Sequence, residues 1–181
     1  MIWNASGRKY RASSPLRDPG ARSSRSSMKI RLLCVGTRMP DWVTEGYSTF
    51  ARRLPRDTTL TLEEVPASRR SGDVQRCIDE EGERLLSRTT KDDRVIVLDE
   101  CGAAWSSVEL SQRLAAWRQD GRDVVLLVGG ADGLSQLCRS RAEVSWSLSA
   151  ATLPHALVRV LVAEQVYRAW TLLTGHPYHR A

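Results

Sequence analysis

Three short stretches hold residue types and spacings from which a binding or reactive site could be built. Gly129-Gly130-Ala131-Asp132-Gly133-Leu134 places three glycines within five residues. A backbone without Cβ atoms can approach a ligand closely there. The G-G-x-x-G spacing is not the dinucleotide fingerprint, and no acid follows a second strand at the distance that fingerprint needs. The same glycines would equally serve a tight strand-to-helix turn. Ser149-Ala150-Ala151-Thr152-Leu153-Pro154 is short, small and uncharged. That composition suits a wall of backbone amides and carbonyls around a nucleoside, or else an ordinary connection. His155 follows at the mouth of a helix, as a structural residue there or as a group that titrates near neutral pH and can take a proton. The tail His176-Pro177-Tyr178-His179-Arg180 gathers imidazole, phenol and guanidinium groups suited to stacking on a base and gripping phosphate, or is a frayed terminus. His176 and His179 have no carboxylate or third histidine close in sequence, so no metal is expected.

The pattern of apolar residues supplies the elements that must position these stretches. A strand over Lys29–Val35 buries Ile30, Leu32 and Cys34 on one side and Leu33 and Val35 on the other. A helix capped by Asp41 carries Val43, Tyr47, Phe50 and Leu54 at helical spacing. Thr58–Val65 alternates as a strand, and Asp73–Ser87 reads as a helix with Val74, Cys77, Ile78 and Leu85 inward. Arg94–Asp99 and Val124–Val128 are short, continuously apolar strands, as expected where both sheet faces are covered. Between them, a helix capped by Ser107 carries Leu110, Leu114 and Trp117 and closes at Gly121. A short helix and the strand Val144–Leu148 follow, then a long helix over about Ala156–Thr174 ending at Gly175. Alternating strands and helices predict one α/β domain with a mostly parallel sheet and helices on both faces. In such sheets, ligands bind beyond the carboxyl ends of strands. Leu98, the glycine stretch and the Ser149–Pro154 stretch all fall at such ends.

Bulk properties narrow the setting. The chain of 181 residues carries a net charge of +6 and is 41% apolar. Six basic residues against Asp18 put five of those charges into residues 1–27, leaving a near-neutral body. Residues 1–27 are rich in Ser, Arg, Gly and Pro and lack either periodicity, so they are expected to form a disordered basic extension. The folded domain is expected over residues 28–181. The extension lacks the apolar run of a secretory signal. The apolar stretch Leu153–Leu173 is interrupted by His155, Arg159, Glu164 and Arg168, so no membrane span is expected. Cys34, Cys77, Cys101 and Cys138 are widely spaced and read as reduced, mostly buried thiols of a cytoplasmic protein.

The blocks Val35–Trp42 (VGTRMPDW), Leu126–Ser135, Ser145–His155, Leu157–Glu164 (LVRVLVAE), Tyr167–Trp170 and His176–Arg180 together resemble the ribosomal RNA large subunit methyltransferase H family, of the SPOUT superfamily. The resemblance runs from Met28 to the C-terminus and is most specific from Trp146 onward. One departure is Ala131-Asp132, where the family often has Pro-Glu. Membership would imply a SPOUT fold whose C-terminal segment forms a trefoil knot, a topology too rare for the element pattern to suggest. It would further imply a homodimer that binds S-adenosylmethionine and methylates N3 of pseudouridine 1915 in the 23S rRNA of the assembled ribosome. By motif position, the cofactor site would fall on Leu98, Gly130, Ser149, Ala150, Ala151, Thr152, Leu153 and Pro154. His155, Tyr178, His179 and Arg180 are then the candidate catalytic residues, with His155 favoured as proton acceptor. Transfer of an already activated methyl group to nitrogen needs positioning and loss of the N3 proton, and no metal. Two other readings remain at this level: a non-catalytic RNA- or ribosome-binding module, and a SPOUT methyltransferase acting on a different RNA.

Overall fold

The computed structural model describes residues 27–69 and 72–180; the extension read over residues 1–27 lies, but for Ser27, outside them. The elements run β1 (Met28–Val35), α1 (Asp41–Ala51), β2 (Thr58–Val65), α2 (Val74–Leu86), β3 (Arg94–Ala104), α3 (Ser107–Asp120), β4 (Val124–Val128), α4 (Gln136–Arg141), β5 (Val144–Ser147) and α5 (His155–Thr174), with a 3-10 turn over Pro177–Arg180. The five strands pair in the order β2-β1-β4-β3-β5. All four pairings are parallel.

The two faces of this sheet explain the apolar runs. Ile30, Leu32, Leu126 and Ile96 point to one face, where Tyr47 of α1, Leu110, Leu114 and Trp117 of α3, and Val162, Ala163, Val166 and Ala169 of α5 cover them. Leu33, Val35, Val95, Val97, Val125 and Leu127 point to the other, under Leu85 of α2 and Cys138 of α4. Burial on both sides is what turns the central strands into unbroken apolar sequence.

Several boundaries differ from the sequence reading for identifiable reasons. Pro40, not Asp41, caps α1, and it offers no side-chain bond; Asp41 is the first helical residue, an acid favourably placed at the positive end of the helix dipole. Ser106 rather than Ser107 caps α3, because Glu109 lies three residues on and closes a reciprocal capping box with it. Val74 at the start of α2 is exposed, while Glu81, Gly82 and Leu85 are buried. That helix makes its close approach through its second half: a Cβ on Gly82 would lie 2.0 Å from Ser135 Oγ. β3 continues past Asp99 to Ala104. Its register with β5 shifts so that Leu98 and Ala103 both face Trp146, and the intervening polar residues bulge out. Gly102 permits this, since a Cβ there would sit 2.7 Å from the Ser145 backbone. Of the four cysteines, Cys34 and Cys138 are buried, Cys77 is half-buried and Cys101 is exposed. Among the described residues, no helix is long and apolar enough to cross a membrane.

The long helix α5 lies between α1 and α3 and ends, as read, at Gly175 in the left-handed conformation. It is apolar around most of its circumference. Leu157, Leu161 and Leu172, which lie outside the core cluster, are half-buried.

Candidate functional site

The carboxyl ends of β3, β4 and β5 enclose an open cleft of about 740 Å³. Leu98, Gly130, Ser149, Ala151, Thr152, Leu153 and His155 all line it, so most of the residues singled out from sequence are brought together. Ala150 and Pro154 belong to the same loop, but both are exposed and lie outside the lining; Pro154 instead caps α5.

Two of the loops that line the cleft are held by local bonds. In the β5–α5 loop, Ser147 Oγ donates to the Ser149 carbonyl at 2.9 Å, and the Ala151 amide donates to Ser149 Oγ at 2.9 Å. In the β4–α4 loop, the Gly133 amide donates to the Gly130 carbonyl at 3.2 Å, and Gly133 takes a positive φ of 96°. The three glycines have different duties. A Cβ on Gly129 would lie 2.2 Å from the Gly133 carbonyl oxygen, so this residue is glycine because the loop folds back upon it. A Cβ on Gly130 would lie 2.4 Å from Glu81 Oε2 and 3.3 Å from a Val35 methyl. Its bare side therefore admits α2, while the residue itself lines the cleft. Trp146, largely buried, also lines the cleft, and its ring stacks on Trp105 at 5.0 Å.

Charged groups frame the mouth, and apart from Asp99 at the strand end read from sequence they were not singled out there. Arg139 of α4 reaches across to Asp99, whose other oxygen accepts from the Cys101 amide at 3.0 Å. Thr152 Oγ1 donates to Glu100 at 3.4 Å, joining the β3 bulge to the β5–α5 loop. Helix α4 was the least defined element in the sequence, so Arg139 could not be assigned to a strand end.

His155 opens α5 and is half-buried. Its Nε2 is hydrogen-bonded to the Val35 carbonyl at the end of β1. Burial lowers its pKa below the ordinary histidine value and the nearby Arg159 adds to this, while the Val35 carbonyl and the charge of Glu81 oppose it. One turn further along, Arg159 has no exposed surface. Its guanidinium pairs with Glu64 and donates to the carbonyls of Val35 at 3.2 Å and Gly36 at 2.6 Å. In the sequence it registered only as a charge that interrupts an apolar stretch.

The tail is placed elsewhere. Tyr178 Oη donates to Glu164 at 3.1 Å, its ring meets Tyr167 edge-on at 4.9 Å, and the Arg168 guanidinium lies 5.2 Å from its ring centre. Burial and the Glu164 carboxylate raise the tyrosine pKa. Glu164 sits nine residues beyond His155, about 13 Å along the helix axis. The structure does not bring Tyr178 to His155. The backbones of His179 and Arg180 complete the 3-10 turn, and their side chains are outside the described residues.

Comparison with known proteins places this arrangement. A family model described as a predicted SPOUT methyltransferase matches residues 28–179. A curated protein of Methylococcus capsulatus, the ribosomal RNA large subunit methyltransferase H, is 54% identical over 155 residues, covering 84% of this chain and the whole of that relative.

Proposed function

This chain belongs to the SPOUT methyltransferases, in the family of ribosomal RNA large subunit methyltransferase H, and we propose from that membership and from its cleft that it is an S-adenosylmethionine-dependent methyltransferase of 23S rRNA. The observation that carries the proposal is the cleft beyond β3, β4 and β5, lined largely by apolar residues of the strand ends and small residues of the β4–α4 and β5–α5 loops. Such a wall suits a nucleoside whose polar edges need amides and carbonyls more than charged side chains. Leu98, Gly130 and the loop Ser149–Pro154 would hold the cofactor, with the Arg139–Asp99 pair closing one end. When bound, the cofactor supplies a methyl group already activated by its sulfonium.

The acceptor is N3 of pseudouridine 1915 in the assembled ribosome. The N3 proton must leave as the new N–C bond forms, and His155, neutral and at the cleft wall, is the group to take it. Tyr178, His179 and Arg180 grip the base and its phosphates. Because Tyr178 is moored about midway along α5, its tail serves the cleft of a second copy, and the protein works in the cytoplasm as a homodimer. The half-buried leucines of α5 are the apolar surface such a dimer would cover.

Deletion of His176–Ala181 tests this division of labour. Calorimetry with S-adenosylmethionine should give an affinity within a few-fold of the full chain, while methyl transfer to ribosomes falls by about tenfold or more, a barrier increase of roughly 1.4 kcal/mol. Transfer at the original rate would remove the tail from the mechanism.

A further inference from the structure

His155 and Arg159 lie one helical turn apart on α5 and meet at the same acceptor. His155 Nε2 and Arg159 Nη2 are both bonded to the carbonyl of Val35, where β1 ends. A carbonyl can only accept, so Nε2 must carry the imidazole proton in this arrangement. Nδ1 then bears the lone pair, and no protein group among the described residues bonds it. His155 lines the cleft, and Nδ1 is the ring nitrogen left to accept a proton.

Arg159 makes the arrangement rigid. Its side chain is wholly buried, and it gathers Glu64 of β2, the Val35 carbonyl of β1 and the Gly36 carbonyl of the β1–α1 loop. The loop lies alongside both side chains: a Cβ on Gly36 would be in ordinary contact, 3.6 Å, with Arg159 Nη2, His155 Nε2 and the Met39 methyl alike. A cation bonded to the acceptor that histidine uses also disfavours a second positive charge on the ring.

We propose that Arg159 is a positioning residue that fixes His155 as a neutral imidazole with Nε2 protonated and Nδ1 free to act as base. Its meaning for catalysis rests on the proposed methyl transfer, whereas the protonation state itself does not. The charged groups around the ring divide by sign. Arg159 on α5 opposes protonation, and Glu81 on α2 favours it. β1 and the β1–α1 loop contribute carbonyls and the Met39 side chain, while Glu64 of β2 is engaged with Arg159.

Imidazole nitrogen and carbon NMR on the full chain tests this without RNA or cofactor. Three histidines are present, so the His155 signal is assigned by its loss in His155→Gln. The wild-type signal should show the Nε2–H tautomer and a pKa below the usual value of about 6.5. An Nδ1–H tautomer, or a pKa at or above that value, overturns the proposal without recourse to any variant. Arg159→Met keeps the length of the stem and removes the charge, and should raise the His155 pKa by about half a unit or more. Arg159→Lys should bring it back toward wild type. A folded Met variant with an unchanged His155 pKa and tautomer would make Arg159 a core ion pair only. If the titrations come out as stated and ribosomes still accept no methyl group, the functional reading fails and the positioning role stands.

Discussion

Adding one methyl group at Gly129 should damage the proposed cofactor site more than adding one at Gly130, although only Gly130 is assigned to the cofactor by motif position. The Cβ of Gly129→Ala would lie 2.2 Å from the Gly133 oxygen, 2.5 Å from the Gly133 carbonyl carbon and 2.9 Å from the Leu134 nitrogen. All three are backbone atoms, so only a movement of the β4–α4 loop relieves the clash. Overpacking of this kind costs about 1–3 kcal/mol. Opening the loop also loses the Gly133–Gly130 hydrogen bond, worth about 1 kcal/mol. The combined penalty is about 2–4 kcal/mol. If the loop stays closed, the clash alone lowers the melting temperature by roughly 2–12 °C. If it opens, the cofactor must close it again, and affinity falls by about 30- to 1,000-fold. In Gly130→Ala the obstacle is the end of the Glu81 side chain, which can swing away by giving up its 2.8 Å bond from the Ser68 amide. That should cost about 1 kcal/mol, with affinity changed by less than about tenfold. Paired melting and calorimetric titration with S-adenosylmethionine measures both. A Gly129→Ala protein with native melting and native affinity would refute the assignment of the loop.

Three further outcomes are expected. A chain starting at Met28 should melt at the same temperature as the full chain and transfer methyl groups at the same rate; a large loss of stability would show that residues 1–27 belong to the fold. Light scattering at micromolar concentration should give a dimer, and Leu161→Glu, which puts a charge on the half-buried side of α5, should give a monomer; a wild-type monomer would remove the shared site. Because His155 has a lowered pKa in the folded protein, the unfolded chain protonates first as pH falls, so its contribution to stability is fully present above about pH 6.5 and declines as pH drops through the folded value. His155→Gln should lose less melting temperature between about pH 7 and about pH 5.5 than wild type, whereas parallel curves would contradict the lowered value.

The sheet was legible because its chemistry is local. Val95–Leu98 and Val124–Val128 announce themselves as buried strands, and Gly121 and Gly175 as helix ends. Other features depend on partners far along the chain. Arg159 acquires its meaning from Glu64 and Val35, which lie 95 and 124 residues away, and nothing in LVRVLVAE points to either. The Gly102 bulge follows from contact with β5, and the duty of Gly130 from contact with α2. The tail reads as free because it follows Gly175, yet Tyr178 folds back to Glu164, fourteen residues earlier. The Ser106 cap was within reach of sequence, since only Ser106 has a glutamate three residues on. Sequence thus located the cleft from strand ends and small residues, and missed the charged groups that brace it.

Transfer of labelled methyl from S-adenosylmethionine, measured side by side on ribosomes lacking the modification and on tRNA, tests the central claim most directly. Label should appear in 23S rRNA of the assembled ribosome, at N3 of pseudouridine 1915, and not in tRNA. Label in tRNA alone would reassign the substrate, and no binding of S-adenosylmethionine with no transfer to either RNA would contradict the account itself.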